Sequence, residues 1–91
     1  MRFVTLADGR QFEIYRCGAA DGVLWVGLVG KSIAEAEEIF ADKSATQTIV
    51  SEYSFGGFES TFTGYTEWLL ARTEEKGVLV AMRKEKSNAT N

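Results

Sequence analysis

The fold is decided by residues 21–40, which read DGVLWVGLVGKSIAEAEEIF. Within this stretch the run Val23–Val29 is apolar on both faces of an extended chain. This pattern is typical of a central strand that is covered on both sides. Gly27 interrupts the run and indicates a bulge or a close approach to the backbone. The Asp21-Gly22 pair ahead of it predicts a tight turn, because such pairs adopt positive φ angles readily.

The second half of the stretch predicts one short helix. Ser32 and Glu35 have the spacing of a capping box, in which each side chain accepts a hydrogen bond from the backbone amide of the other. We expect the helix to run to about Asp42, with its apolar side formed by Ile33, Ala36, Ile39 and Phe40. A helix of three turns at most is not stable alone, so it must pack on the sheet.

Strands are predicted on both sides of the helix from β-branched and aromatic content and from turn residues. The composition of Tyr65–Arg72 is ambiguous between helix and strand. We favour strand, because Glu74–Gly77 forms a compact turn into the last strand. A hairpin turn is expected at Ser54–Phe58. The other predicted strands are Val4–Leu6, Gln11–Cys17, Ala45–Phe55, Phe58–Thr63 and Val78–Met82.

Together these elements predict a mainly β, α+β fold. We expect an antiparallel sandwich or a small, partly open barrel of six to seven strands, with one short helix after the third strand that plugs one end. A length of 91 residues corresponds to one domain. We assign residues 1–84 to this domain and expect residues 85–91 to be a disordered polar tail.

Composition excludes several kinds of chemistry. The chain has no histidine and one cysteine, Cys17. Without histidine there is no Ser-His-Asp triad and no Cys-His pair to activate a thiol. Gly30-Lys31-Ser32 resembles the end of a phosphate-binding loop, but Trp25 stands where that motif requires glycine. We therefore expect no enzyme activity, no catalytic residue, no metal site and no cofactor.

Charge also bears on the class of partner. The formal net charge is −3. Its one basic cluster, Arg83, Lys84 and Lys86, is interpreted as a solubilising terminus, so no nucleic-acid partner is expected. No apolar run approaches the ~20 residues that span a bilayer. We therefore expect no membrane association and a cytoplasmic location.

The aromatic residues carry the remaining functional signal. Their number predicts either a core filled on both sides of the sheet or an exposed binding patch. Trp25, Tyr65 and Trp68 are the candidate binding residues. Our leading expectation is a non-enzymatic protein–protein interaction module that self-associates, because sheet edges pair readily with other chains. The alternative is a small-ligand-binding barrel with these three aromatics lining its mouth.

Several segments also resemble a family of small proteins encoded among the structural genes of Firmicutes phages and prophages. The resemblance spans residues 4–84 and is carried by Leu6–Gly9, Ser32–Phe40, Phe62–Thr66 and Gly77–Lys84. It implies a virion-associated or assembly role, with phage structural proteins or a second copy of the chain as partners. It implies no catalytic residues.

Overall fold

The fold was obtained as a computed structural model that describes residues 2–41, 48–53 and 59–84, of which 48–53 and 59–63 are described by their backbone. The protein is mainly β, with one short helix after the third strand. In chain order the elements are β1 (Arg2–Leu6), β2 (Gln11–Ala20), β3 (Val23–Val29), α1 (Ile33–Ile39), β4 (Thr48–Tyr53), β5 (Glu59–Thr63), β6 (Tyr65–Glu74) and β7 (Gly77–Lys84).

The strands form one antiparallel sheet in the order β5-β4-β1-β2-β3-β7-β6. Strands β5 and β6 stand at opposite ends of this order, yet Gly64 alone separates them in the chain. The sheet must therefore curl until its two edges approach each other at Gly64, whose φ of 86° permits the bend. In the described ranges these edges are not hydrogen-bonded to each other, so the sheet is not closed into a barrel.

The central strand β3 lies between β2 and β7, as its two-sided apolar sequence predicts. Asp21 and Gly22 both have positive φ, at 55° and 78°, which is the geometry of the tight hairpin turn that joins β2 to β3. On the other side, Gly77 begins β7 against the end of β3. A Cβ at Gly77 would lie 1.9 Å from the carbonyl oxygen of Leu28, so this contact requires glycine.

One face of the sheet, called here the inner face, carries the hydrophobic core. Alternate residues of β3 and β7 point into it, because successive side chains of a strand project to opposite sides. The core continues onto β1 and β2 and is closed by the helix. Its members are Val4, Leu6, Ile14, Leu24, Val26, Leu28, Ala36, Ile39, Phe40, Val78, Val80 and Met82.

The helix covers the inner face beside β6 and β7. Its predicted capping box is present: the Ser32 hydroxyl accepts from the Glu35 amide at 3.1 Å, and the Glu35 carboxylate accepts from the Ser32 amide at 2.9 Å. The helix ends at Ile39 rather than near Asp42. There Arg10, on the β1–β2 connection, donates to the Ile39 carbonyl at 3.2 Å.

The structure confirms the predicted fold class and refines several boundaries. The segment from Tyr65 is a strand, and it extends to Glu74. Strand β2 continues three residues past Cys17, to Ala20. The turn predicted at 54–58 and the tail predicted at 85–91 lie outside the described residues.

Candidate interaction surface

The three aromatic residues predicted to bind a ligand lie on two faces of the sheet. Tyr65 and Trp68 of β6 pack against the core on the inner face. Trp25 of β3 lies on the opposite side, called here the outer face, because its neighbours Leu24 and Val26 both point into the core. The structure brings Tyr65 and Trp68 to the same side and does not bring Trp25 to them.

Each inner aromatic has a defined neighbour. The ring of Trp68 lies 6.3 Å from that of Phe40, at an interplanar angle of 52°, and so joins β6 to the end of the helix. Tilted pairs at this distance are favourable contacts. The Tyr65 ring lies 5.8 Å from the ammonium nitrogen of Lys84, its cross-strand neighbour. Both residues are partly buried, which gives them a packing role.

On the outer face, Trp25 lies flat across a glycine. Its cross-strand partner is Gly18, and a Cβ at that position would stand 2.5 Å from Cζ2 of the indole. A second such contact lies two pairs further along the ladder, where a Cβ at Gly27 would meet Cζ of Tyr15 at 2.5 Å. The two glycines therefore let aromatic rings lie close to the backbone of the sheet.

An apolar row continues from Trp25 towards the edge of the sheet. Trp25 pairs with Ala81 of β7, and Ala81 pairs with Leu70 of β6. Leu70 is 51% exposed, and its neighbour Leu69 is 38% exposed. Leu69 is the extra residue of a register shift between Trp68 and Leu70. Two adjacent leucines therefore lie exposed on the terminal strand of the sheet.

A polar network lies on one side of this row and crosses four strands. Its centre is Glu74 at the end of β6, which accepts a hydrogen bond from the Tyr15 hydroxyl at 2.7 Å. Glu74 also forms ion pairs with Arg72 at 3.0 Å and with Arg16 at 3.4 Å. Tyr15 sits at the irregularity of β2, where its carbonyl accepts from the Arg2 guanidinium. The network therefore ties β2 to β6 over the intervening strands.

The network shifts the titration of its members. Burial, and then the hydrogen bond to Glu74, raise the pKa of Tyr15 to about 12. The Tyr15 hydrogen bond holds the pKa of the Glu74 carboxyl below its usual value, assisted by Arg72. Both shifts favour a neutral phenol that donates to an ionised carboxylate. The arrangement is therefore a fixed hydrogen bond rather than a group prepared to exchange its proton near neutral pH.

On the other side of the apolar row lies an exposed ion pair. Arg83 of β7 faces Glu67 of β6 across the strands, with 2.8 Å between its terminal nitrogen and Oε2. Hydrogen bonding to Glu67 raises the pKa of Arg83. Of the predicted basic cluster at the end of β7, Arg83 has a carboxylate partner and Lys84 lies near the Tyr65 ring, whereas Lys86 lies outside the described residues.

Across residues 2–41, 48–53 and 59–84, no group of three or more metal-ligating side chains is close enough to hold an ion. Cys17 is partly buried against the core and forms no disulfide. Within those ranges no helix is long and apolar enough to cross a membrane. The outer apolar row is the feature best suited to binding.

Sequence reasoning missed Leu69 and Leu70, because a strand of this composition gives no sign of which face is buried. The weak signal was the pair itself, since two consecutive leucines cannot both point into one core from a regular strand.

No family model, curated protein or solved structure matches this chain.

Proposed function

We propose that this protein is a non-enzymatic interaction module that associates with itself. The observation that carries the proposal is the exposure of Leu69 and Leu70 on the terminal strand β6. Exposed leucines are unremarkable when they are scattered. Here they adjoin each other, continue an apolar row from Trp25, and lie where an antiparallel sheet can accept another strand.

Charges on both sides of the row suit a protein surface. Glu67 with Arg83 and Glu74 with Arg72 flank the leucines and leave them as the apolar centre. Interfaces commonly have such a centre within a polar rim. This pattern supports a protein partner better than a small ligand, which usually requires a concave site that buries most of its surface.

The small-ligand alternative loses its geometric support. It required Trp25, Tyr65 and Trp68 to line one mouth, whereas Trp25 lies on the outer face and the other two pack against the core. An assembly role in a phage particle remains part of the proposal and is supported by the resemblance of residues 4–84. It predicts that capsid or tail genes lie beside the gene for this chain.

Light scattering after size exclusion, over a wide concentration range, tests the proposal. We expect the average mass to rise above that of the 10.1 kDa chain as concentration increases. Leu70→Ser should reduce this rise, and Ile33→Ser is the matched control because Ile33 is also a partly exposed hydrophobic residue, at 37%. A strict monomer at the highest concentration would overturn self-association.

A further inference from the structure

The register of β6 places two opposite charges on the same face of the sheet. Glu67 pairs with Arg83, and Arg72 pairs with Leu79. Arg83 and Leu79 are four residues apart on the regular strand β7, so they share a face. Glu67 and Arg72 are five residues apart and would face opposite sides of a regular strand. The extra residue at Leu69 shifts the alternation by one position, so the side chains of Glu67 and Arg72 both lie on the outer face.

The midpoint between these two charges falls at the exposed leucines. Along the outer side of β6 the order is an acid, the leucine pair and a base. Such an order is complementary to itself when a second strand runs antiparallel. Resting on the self-association proposed above, we infer that β6 pairs with β6 of a second copy about a two-fold axis at Leu69 and Leu70. Glu67 of each copy then faces Arg72 of the other.

The symmetry of a strand pair agrees with this placement. Two antiparallel edge strands are related by an axis normal to the sheet, which keeps the outer faces of both copies on the same side. In the described part of the chain, β6 forms a ladder with β7 alone, so its other side is the terminal edge of the sheet. Pairing there would join two sheets of seven strands and bring four leucines together.

The existing ion pairs become part of a longer network rather than being broken. Within one copy, Arg83 is 2.8 Å from Glu67, and Arg72 is 3.0 Å from Glu74. Placing Glu67 beside Arg72 of the second copy lines up four charges of alternating sign across the junction. They are Arg83 and Glu67 of one copy, followed by Arg72 and Glu74 of the other. Alternation of this kind favours the register, and a two-fold axis at Arg72 would instead set two guanidinium groups against each other.

The irregularity at Leu69 also limits the strength of the dimer. Bulges and charged side chains are features that reduce the pairing of exposed edges. We therefore expect a weak dimer that depends on concentration, held by the leucines and given its register by the charges.

Charge reversal tests the pairing without removing the leucines. Glu67→Arg alone places like charges at both symmetric contacts, and so does Arg72→Glu alone. Each should raise the dimer dissociation constant about tenfold or more. An equimolar mixture of the two variants should recover association, because each copy then meets the opposite charge. The double variant carrying both substitutions should recover it as well. Glu75→Arg, in the exposed β6–β7 turn, is the control with the same change of charge.

Sedimentation velocity reports the masses, and far-ultraviolet circular dichroism verifies that each variant is folded. Loss in both single variants with recovery in the mixture supports the β6 pairing. A wild-type dimer that both reversals leave intact overturns the pairing while self-association stands. Loss in the single variants without recovery in the mixture also overturns the pairing. A wild-type monomer at all concentrations overturns both proposals.

Discussion

The two faces of the sheet are built from the same strands but differ in burial and in the groups that they carry. The inner face is apolar, and its residues on β3 and β7 are essentially fully buried. The outer face carries aromatic rings laid across glycines, a carboxylate shared by three donors, and leucines in contact with solvent. Stability is concentrated on the inner face, whereas the outer face carries the groups that can meet another molecule. Substitutions on both faces test this contrast.

Truncating one leucine on each face should show the largest difference in the free energy of unfolding. Leu24→Ala removes a fully buried side chain from the inner face and should lower the free energy of unfolding by about 2–5 kcal/mol. Leu70→Ala removes the same atoms from an exposed position and should change it by roughly 0.5 kcal/mol or less. Urea denaturation at a concentration where the chain is monomeric measures both. Equal losses would show that the outer row also belongs to the core.

Disturbing the close packing on the outer face should have the next largest effect on the free energy of unfolding. Gly27→Ala sets a Cβ 2.5 Å from the Tyr15 ring and 2.8 Å from Cγ of Arg16, so both side chains must shift. The hydrogen bond to Glu74 restrains the ring, and we expect a loss of about 1–3 kcal/mol. The same substitution in a Tyr15→Ala background should cost less, because the clash with the ring is gone and only the flexible Arg16 side chain has to shift. An unchanged cost in that background would contradict ring packing as the cause.

The smallest effect concerns the titration of the outer network. Tyr15→Phe removes the main cause of the low pKa of Glu74, so this pKa should rise towards its usual value. Carboxyl chemical shifts followed by NMR during an acid titration measure the change. A Glu74 titration that is unaffected by the loss of the hydroxyl would show that Arg72 and Arg16 alone hold the carboxylate ionised.

The signs of the pH dependence follow from the same two groups. Because the pKa of Glu74 is lowered by folding, its contribution to stability is present above the unfolded pKa and is lost as pH falls through the folded value. Because folding raises the pKa of Tyr15 from 10.0 to about 12, its contribution is present below pH 10 and is lost as pH rises towards 12. In Tyr15→Phe the alkaline dependence should disappear with the phenol, and the acid dependence due to Glu74 should weaken.

Much of the fold was readable from local patterns. The Asp21-Gly22 turn, the capping box at Ser32 and Glu35, and the strand Val23–Val29 were all predicted with correct positions. The close approach at Gly27 was also indicated, although not the ring that makes it. The helix end was less readable, because the polar contact that meets it comes from Arg10, in a distant part of the chain.

Much less of the candidate surface could be predicted from the sequence. Trp25, Tyr65 and Trp68 look equivalent in a list of aromatic residues, but the alternation of β3 sends Trp25 to the side opposite the helix. The extra residue at Leu69 is likewise invisible in the sequence, because it is defined by the register of β6 against β7. Faces and registers are properties of pairs of strands, and one strand alone does not specify them.

By itself, then, the sequence determined the kinds of element and the turns between them, because these depend on residues within a few positions of one another. Tertiary structure alone decided which side chains meet across the sheet. The Tyr15–Glu74 hydrogen bond joins residues 59 positions apart, and the exposed leucines follow from where β6 lies in the strand order. Such contacts arise only when the whole sheet buries its inner face, since that burial selects one register from the many that local preferences allow.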